Sequence, residues 1–306
     1  MRSIAARCVN AIPAIAWDEC ACLLCGSRQH SPLMEAADPH CKLRFLIVQC
    51  KLCGLAFTNP RPDFDSISQF YPDDYPCHQK RKANQPGAQA TGQDNPVACA
   101  PGWLKKEFVP TGQARLLDFG CGSGVFLQRM RLLGWNVTGL DRAEAVVSHV
   151  RTQLGLTAHV GTLPNTLWTG PSFEAITMWQ ALEHVHQPLE VLQAAHRLLT
   201  PGGRIVVAVP NFEGFAARWF GPHWFGLDLP RHLTHFTPNT LRSLLNRAGF
   251  EHVEIQHERK SGWIRHSAAR QHADSPWLRS RLGSGMASWW GRLIGRAESL
   301  IAIALK

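Results

Sequence analysis

Short apolar runs alternate with longer amphipathic stretches through much of this 306-residue chain. The runs have the length of buried strands, and the stretches between them carry apolar residues at helical spacing. Such alternation is typical of an α/β protein with a doubly wound sheet and helices on both faces. We predict strands in the ranges 116–118, 135–141, 156–160, 173–178, 204–209 and 252–258.

Two helices have clear sequence boundaries. One is predicted over 188–199, with Pro201-Gly-Gly as its stop signal. The other runs from Thr237 to Gly249 and has a capping threonine followed by a proline. The last apolar run, 300–305, has no periodicity that separates strand from helix.

The first strand ends in an acid that is followed by glycines at every second position. Gly120, Gly122 and Gly124 let the backbone turn sharply into a helix whose first N–H groups face a ligand. Asp141 ends the next strand, where its carboxylate can accept both ribose hydroxyls of an adenosine. A dinucleotide site has the spacing G-x-G-x-x-G, and its pyrophosphate would be repelled by Asp118. The pattern indicates an adenosine ligand with a cationic part, and an ordinary Rossmann turn is the alternative.

These residues resemble the first motif of the class I S-adenosylmethionine-dependent methyltransferases. The resemblance implies a seven-stranded Rossmann-like sheet of order 3-2-1-4-5-7-6, and the final antiparallel strand of that fold favours a strand at 300–305. Thr162 stands where many relatives have an acid that binds the adenine amino group. The implied S-adenosylmethionine-binding residues are Asp118, Phe119, Gly120, Cys121, Gly122, Gly124, Asp141, Arg142, Thr162, Leu163, Trp179 and Gln180.

Two copies of Cys-x-x-Cys-Gly precede this region. Cys22 with Cys25 and Cys50 with Cys53 give four thiolates for tetrahedral zinc. The residues 45–49 between them predict a strand, as in a zinc ribbon. A four-cysteine site leaves no open coordination position, so we expect a structural ion. Unligated or redox-active thiols are the alternative.

The chain's only tyrosines, Tyr71 and Tyr75, follow an Asn-Pro-Arg-Pro segment. They can either contact a small substrate or attach the cysteine module to the main domain. With the cysteine repeats, these segments resemble a bacterial subgroup of methyltransferases from saccharide, cell-surface and secondary-metabolite pathways. The resemblance covers roughly residues 20–258, apart from a Gln-, Ala-, Gly- and Pro-rich linker at 79–101.

The segment after the fourth strand, Leu182-Glu-His-Val, lies at the edge where α/β sheets bind ligands. It resembles a motif of the same subgroup and of quinone-pathway O-methyltransferases. His184 is the candidate general base, because an ordinary histidine pKa near 6.5 suits proton removal. Glu183 can orient it or bind a divalent metal, although Gln180 replaces a further acid of the quinone enzymes. A histidine that only caps and packs is the alternative.

An aromatic insertion over 211–236 follows the fifth strand. Trp224 and Arg231 are candidate substrate-binding residues, since an arginine suits a phosphate or carboxylate. His232 and His235 are further candidates for the base. A buried structural histidine pair is equally compatible with the pattern.

The net charge is +9, and residues 241–306 contribute six of these charges. We predict a helical excursion within 260–297 whose Trp289, Trp290, Leu293 and Ile294 suit a membrane surface over 276–297. Packing of this segment on the sheet or linker is the favoured interpretation, and membrane contact is the alternative. No secretory core or membrane span is evident, so we expect a cytoplasmic protein with reduced cysteines. A peripheral position at the inner membrane surface is the variant of this expectation that membrane contact through 276–297 would imply.

The predicted organisation is an extension at 1–19, a zinc module and lid segment at 20–78, the linker, and the methyltransferase domain at 102–306. The predicted activity is methyl transfer to the oxygen or carbon of a small molecule, such as a sugar, glycan precursor or secondary metabolite. A nucleic-acid-directed enzyme or zinc-containing binding protein is the rival class, favoured by charge and zinc but not by the aromatic pattern. A degraded enzyme that scaffolds a pathway is a third hypothesis. The sequence leaves the oligomeric state open.

Overall fold

The computed structural model describes residues 15–71, 112–271 and 276–306. Tyr75, the predicted linker at 79–101 and most of the extension at 1–19 lie outside these ranges.

A seven-stranded sheet forms the centre of the protein. Its order is β12-β13-β10-β9-β6-β7-β8, which is the predicted order 3-2-1-4-5-7-6 read from the other edge. Only β13 runs antiparallel to its two neighbours. The predicted fold class is therefore confirmed. The strands are β6 Arg115–Phe119, β7 Asn136–Asp141, β8 Thr157–Val160, β9 Phe173–Trp179, β10 Leu199–Pro210, β12 Glu251–Glu258 and β13 Ser299–Leu305.

The strand at the chain's end was ambiguous by periodicity, and packing explains why it is a strand. All residues of β13 except Ile303 and Leu305 are buried, so both faces of the strand are covered. A central strand of this kind has a continuous apolar sequence without alternation. Its antiparallel pairing with β10 and β12 supplies the backbone partners that settle the assignment.

Helices cover both faces of the sheet. The predicted helix at 188–199 ends at Leu198, and β10 begins at the next residue with an irregularity that contains Pro201-Gly-Gly. Thr237 and Thr240 form a capping box at the next predicted helix. The helices of this domain are α1 Val125–Leu132, α2 Glu144–Leu154, α3 Pro188–Leu198, α4 Phe215–Phe220, α5 Pro238–Arg247, α6 Ser261–Arg270, α7 Pro276–Arg279 and α8 Arg281–Leu293.

The N-terminal module is joined to the main domain by a shared sheet. Strand β11, Thr234–His235, comes from the aromatic insertion and pairs with β4 of the module. The predicted strand at 45–49 is the centre of β3. The module strands are β1 Trp17–Asp18, β2 His30–Ala37, β3 Arg44–Cys50, β4 Ala56–Thr58 and β5 Arg61–Pro62, followed by a 3-10 turn at Ser66–Phe70.

Candidate active site

The glycine-rich turn between β6 and α1 has the backbone that its sequence predicts. Gly120, Gly122 and Gly124 all have positive φ angles, of 71°, 50° and 74°. A side chain at Gly120 would also meet Cβ of Ala181 at 2.7 Å. Any larger residue there combines backbone strain with a steric clash. The turn therefore requires glycine to bring β6 close to the segment after β9.

Asp118 lies almost completely buried at the end of β6. Its Oδ1 accepts a 2.6 Å hydrogen bond from the Thr177 hydroxyl. Burial raises the pKa of Asp118 to about 7, and the nearby Asp141 carboxylate adds to this effect, while the Thr177 bond opposes it. A buried carboxylate with a raised pKa is stabilised in its ionised form by a cationic ligand. The environment of Asp118 thus fits the ammonium end of S-adenosylmethionine.

Asp141 connects the two strand ends. Its Oδ2 accepts from the Gly122 amide at 3.0 Å, and its Oδ1 accepts from the Ala143 amide at 2.9 Å. Each oxygen keeps a second lone pair for another donor. The side chain is only partly buried, so ribose hydroxyls can still reach it.

Most of the predicted cofactor-binding residues line one cavity of about 830 Å³. Gly124 is the exception, because it caps α1 behind the turn. The indole N–H of Trp179 is buried there without a hydrogen-bond acceptor among the described residues, which leaves a donor for a ligand. The predicted residues that line the cavity are Asp118, Phe119, Gly120, Cys121, Gly122, Asp141, Arg142, Thr162, Leu163, Trp179, Gln180, Tyr71 and His184.

The cavity continues from the nucleotide cradle to His184, where the N-terminal module contributes a wall. The Tyr71 hydroxyl lies 2.9 Å from Nδ1 of His184. Phe64 and Ile67 of the module also line the cavity, and sequence reasoning missed both. Both residues lie in the same short segment as Tyr71, and this proximity was the sequence signal that could have identified them. The result is an aromatic and apolar wall beside the candidate base.

Glu183 and His232 lie behind His184 and do not line the cavity. Neither carboxylate oxygen of Glu183 has a hydrogen-bond partner among the described residues, although the side chain is completely buried. Nε2 of His232 is 3.9 Å from Oε1 of Glu183, and its Nδ1 is 2.9 Å from the Gly226 carbonyl. Glu183, His184 and His232 each place one ligand atom within 4.8 Å of the others, so the set can hold a divalent cation.

Burial changes the expected titration of the histidines. It lowers the pKa of His184 to about 3 and that of His232 to about 4. These pKa values lie below the ordinary value near 6.5 on which the expected base relied, and the role of His184 as the base stays a prediction. Burial also raises the pKa of Glu183 to about 8. Each of these shifts favours the neutral form of its group.

Three predicted acceptor residues lie outside the cavity. Trp224 is buried in a core that the insertion shares with the module. His235 is buried in β11, where its Nε2 is 3.1 Å from the Thr58 hydroxyl. Arg231 donates to both Asp228 and Asp38, and to the carbonyl of Phe70. These contacts place the three residues at the module interface, outside the cavity, and acceptor binding by them stays a prediction.

A second arginine holds the loop that follows His184. Arg61 is almost fully buried, donates to Asp18 and also donates to the carbonyl of His186 at 3.0 Å. Nε2 of His186 in turn lies 3.0 Å from the Pro62 carbonyl. Asn-Pro-Arg-Pro thus positions one wall of the cavity, a role that its sequence did not reveal.

The two cysteine repeats come together in the module. The four Sγ atoms lie within 4.8 Å of one another, with 3.4 Å between Cys22 and Cys53. Gly26 and Gly54 have φ angles of 78° and 77° and donate to the carbonyls of Cys22 and Cys50. The backbone of each repeat also donates to its first cysteine sulfur. Paired loops of this geometry and donor type fit a tetrahedral zinc ion.

Comparison with known proteins identifies the class. Residues 83–255, more than half of the chain, match the family described as "Methyltransferase domain". A ubiquinone biosynthesis O-methyltransferase of Cereibacter sphaeroides is 34% identical over 158 residues, which cover 48% of this chain and 64% of that protein. The equivalent protein of Xanthomonas oryzae pv. oryzae is 32% identical over 160 residues, covering 49% and 66% respectively. The alignments thus span somewhat less than two thirds of these relatives.

A solved chain in the complex between the Haloferax volcanii Trm112 methyltransferase activator and a putative methyltransferase is similar in fold. Its TM-score is 0.50 at 21% identity, and the match covers 66% of this chain and 88% of that one. The chain belongs to the methyltransferase domain family. Its predicted class I S-adenosylmethionine-dependent methyltransferase domain is thereby confirmed.

Proposed function

We propose that this protein transfers the methyl group of S-adenosylmethionine to a hydroxyl oxygen of a small molecule. The observation that carries the proposal is the continuity of one cavity from Asp118 and Asp141 to His184. A donor in the cradle and an acceptor beside His184 would share an enclosed space. In methyl transfer the sulfonium supplies the electrophile, so the protein contributes mainly alignment of the two reactants.

Oxygen is the proposed acceptor atom because the similar relatives are named as O-methyltransferases of ubiquinone biosynthesis. Those names favour this chemistry over the sugar, glycan or secondary-metabolite acceptors expected from the N-terminal motifs. The wall formed by Phe64, Ile67 and Tyr71 supports an acceptor with an apolar or aromatic body.

His184 is the proposed general base. A ring nitrogen of His184 would take the acceptor's hydroxyl proton as the oxygen attacks the methyl carbon, while the Tyr71 hydroxyl at Nδ1 and a hydrogen bond to the backbone of Arg231 hold the ring. Burial lowers the pKa of His184, so the ring is neutral at physiological pH. Its low pKa makes it a weak base, and proton transfer would accompany methyl transfer instead of preceding it.

A divalent cation bound beside His184 is a second candidate for activating the acceptor hydroxyl. The partnerless Glu183 carboxylate favours it, together with the ligand atoms of His184 and His232. A cation would lower the pKa of a coordinated acceptor hydroxyl. Gln180 replaces the further acid that the quinone enzymes have, so the base remains the first proposal.

The cysteine module is proposed to hold one structural Zn²⁺. The four Sγ atoms would complete its coordination, so the ion would stabilise the module and take no part in methyl transfer. Through the β4–β11 pair and Arg231, the module would then hold Tyr71 in the cavity wall.

The central experiment uses extract from a strain that lacks this protein. Purified protein and S-adenosylmethionine with a deuterated methyl group are added, and labelled metabolites are sought by mass spectrometry. We expect an O-methylated product. His184→Asn should reduce the transfer rate by about a hundredfold while leaving cofactor affinity unchanged, as for loss of a general base.

Two outcomes separate the alternatives. Loss of activity on chelation, restored by Mg²⁺ but not by Zn²⁺, would assign the Glu183 cluster to a divalent cation. Calorimetry that shows no binding of S-adenosylmethionine would contradict the proposed function altogether.

A further inference from the structure

Helix α8 has its apolar and polar faces reversed relative to an ordinary surface helix. Its buried residues are small or hydroxylated: Gly283, Ser284, Ala287, Ser288 and Gly291. Its large apolar residues face outward and are 53–72% exposed: Leu282, Met286, Trp289, Trp290 and Leu293. A surface helix normally buries its apolar stripe against the core.

The exposed residues form one stripe. Their spacing of i, i+4, i+7, i+8 and i+11 repeats the turn of an α-helix, so they project from a single face. Trp277 of α7 and Ile294, which follows α8, are two further large apolar residues that are about half exposed. Contiguous exposed apolar patches of this kind mark docking sites, because single exposed apolar residues are normally scattered.

The small residues on the other face are needed for close packing. A side chain at Gly291 would meet the carbonyl of Arg296 at 3.0 Å. The Ser288 hydroxyl donates to the buried carboxylate of Glu298 at 2.7 Å, and Arg265 donates to the Ser284 hydroxyl. The helix is therefore fixed in this orientation and cannot turn its apolar face inward without breaking buried hydrogen bonds.

The charge around the stripe identifies the partner. Residues 276–297 contain four arginines and no acidic residue. Arg281 and Arg292 are exposed and eleven residues apart, which is about three helical turns, so they flank the same edge of the stripe. Tryptophans beside arginines on one exposed helix suit the boundary between anionic headgroups and acyl chains.

We propose that the outer face of α8 binds the surface of an anionic lipid bilayer, with Trp289 and Trp290 inserted among the headgroups. A second copy of the chain fits this surface less well, because a two-fold contact would set a segment with four arginines and no acidic residue against an identical one. Among the described helices none is long and apolar enough to cross a membrane, so the contact is peripheral.

Buried contacts connect α8 to the wall of the candidate active site. The carboxylate of Glu298 that accepts from Ser288 also accepts from the backbone amide of Lys260 at 2.8 Å. Lys260 lines the cavity. One residue thus separates the inner face of α8 from a wall of the cavity.

Vesicle co-sedimentation of the full chain tests this proposal. We expect binding to vesicles of phosphatidylcholine mixed with phosphatidylglycerol, and weaker binding to phosphatidylcholine alone. The double substitution Trp289→Gln with Trp290→Gln should weaken partitioning by about tenfold or more, because both side chains lose their apolar contact with lipid. Both positions are exposed, so folding should be preserved.

Two matched variants complete the experiment. Leu132→Gln with Leu133→Gln replaces an adjacent exposed apolar pair at the end of α1 and should leave binding unchanged. Arg281→Gln with Arg292→Gln should weaken binding only to anionic vesicles, by about fivefold for each arginine lost.

Three results would overturn the proposal. The first is that the wild-type protein binds neither kind of vesicle. The second is that the tryptophan variant binds vesicles as strongly as the wild type. The third is that the wild type is a dimer in solution and the tryptophan variant is a monomer. The last result, measured by analytical ultracentrifugation, would assign the stripe to contact between copies of the chain.

Discussion

The hydroxyl of Tyr71 lies 2.9 Å from Nδ1 of His184, and this contact links the cysteine module to the candidate site of methyl transfer. The backbone beside Tyr71 is held by Arg231, which donates to the carbonyl of Phe70 at 2.8 Å. Arg231 is itself fixed by Asp228 and by Asp38 of the module. The module therefore orients the histidine through a chain of buried hydrogen bonds.

Tyr71→Phe should reduce the rate of methyl transfer about tenfold with little change in cofactor affinity. The variant removes the hydroxyl that contacts His184, whereas Asp118 and Asp141 remain in place. Rates and binding are measured on the same preparations. Tyr75→Phe, the only other tyrosine substitution available, is the comparison. Equal losses in both variants would show that the effect is not specific to the His184 contact.

Cofactor binding should weaken as the pH falls below 7. The pKa of Asp118 is raised to about 7 in the unliganded protein, whereas a cationic ligand requires the ionised carboxylate. Affinity should thus fall by up to about tenfold for each pH unit below 7 and level off above it. Calorimetry at several pH values measures this dependence.

Two variants test the assignment to Asp118. Asp118→Asn should bind weakly and without this pH dependence. Thr177→Val removes the hydrogen bond that lowers the pKa of Asp118, so the midpoint should move to higher pH. A wild-type affinity that is independent of pH between 5 and 8 would refute the assignment.

The purified protein should contain one zinc ion, and Cys25→Ser should lose it. Loss of the ion should destabilise the module, because four neighbouring sulfurs then have no common partner. Elemental analysis and thermal unfolding with a chelator measure the two effects. Cys20→Ser is the matched control, since Cys20 lies beside the first repeat but outside the four-cysteine cluster. Zinc-free wild-type protein would disprove the site.

Arg231→Met should destabilise the fold by about 3–5 kcal/mol, because Asp38 and Asp228 would be left as uncompensated buried charges. Denaturant unfolding measures the change. Arg44→Met removes an exposed pair with Glu35 and should cost less than about 1 kcal/mol. A stable Arg231→Met variant with a raised KM for the acceptor would instead support the substrate-binding role expected from the sequence.

The buried histidines should make the free energy of unfolding depend on pH in the acidic range. Burial lowers the pKa of His235 to about 3, so the unfolded chain binds an extra proton at this residue between about pH 3 and 6.5. Stability contributed by neutral His235 therefore falls as the pH decreases through this window. The raised pKa values of Asp118 and Glu183 have the opposite effect, so only a comparison of variants isolates the histidine.

His235→Gln should reduce the slope of unfolding free energy against pH by up to about 1.4 kcal/mol per unit in that window. Denaturant unfolding at a series of pH values measures it. His223→Gln, at an exposed position, is the control for losing one imidazole. An unchanged slope in His235→Gln would mean that His235 is protonated in the folded protein.

The sequence alone determined the features that depend on local backbone conformation and on periodicity. The glycine turn after Asp118 is one case, since the positive φ angles at Gly120 and Gly124 need no distant partner. The strand and helix order followed from the apolar runs, and the repeated Cys-x-x-Cys spacing predicted four sulfurs at one site. These signals are encoded within a few residues of one another.

Only the tertiary structure decided which side chains share an environment. Arg231 looked like an anion-binding residue until the fold placed Asp38, 193 positions earlier, against its guanidinium. The pKa of His184 is lowered because the fold partly buries the ring beside Tyr71 and His232. In α8 the small residues face inward, since the space beside Trp277, Arg296 and Glu298 admits nothing larger, and this leaves Trp289 and Trp290 outside. Burial and charge pairing depend on distant parts of the chain, so no local pattern could predict them.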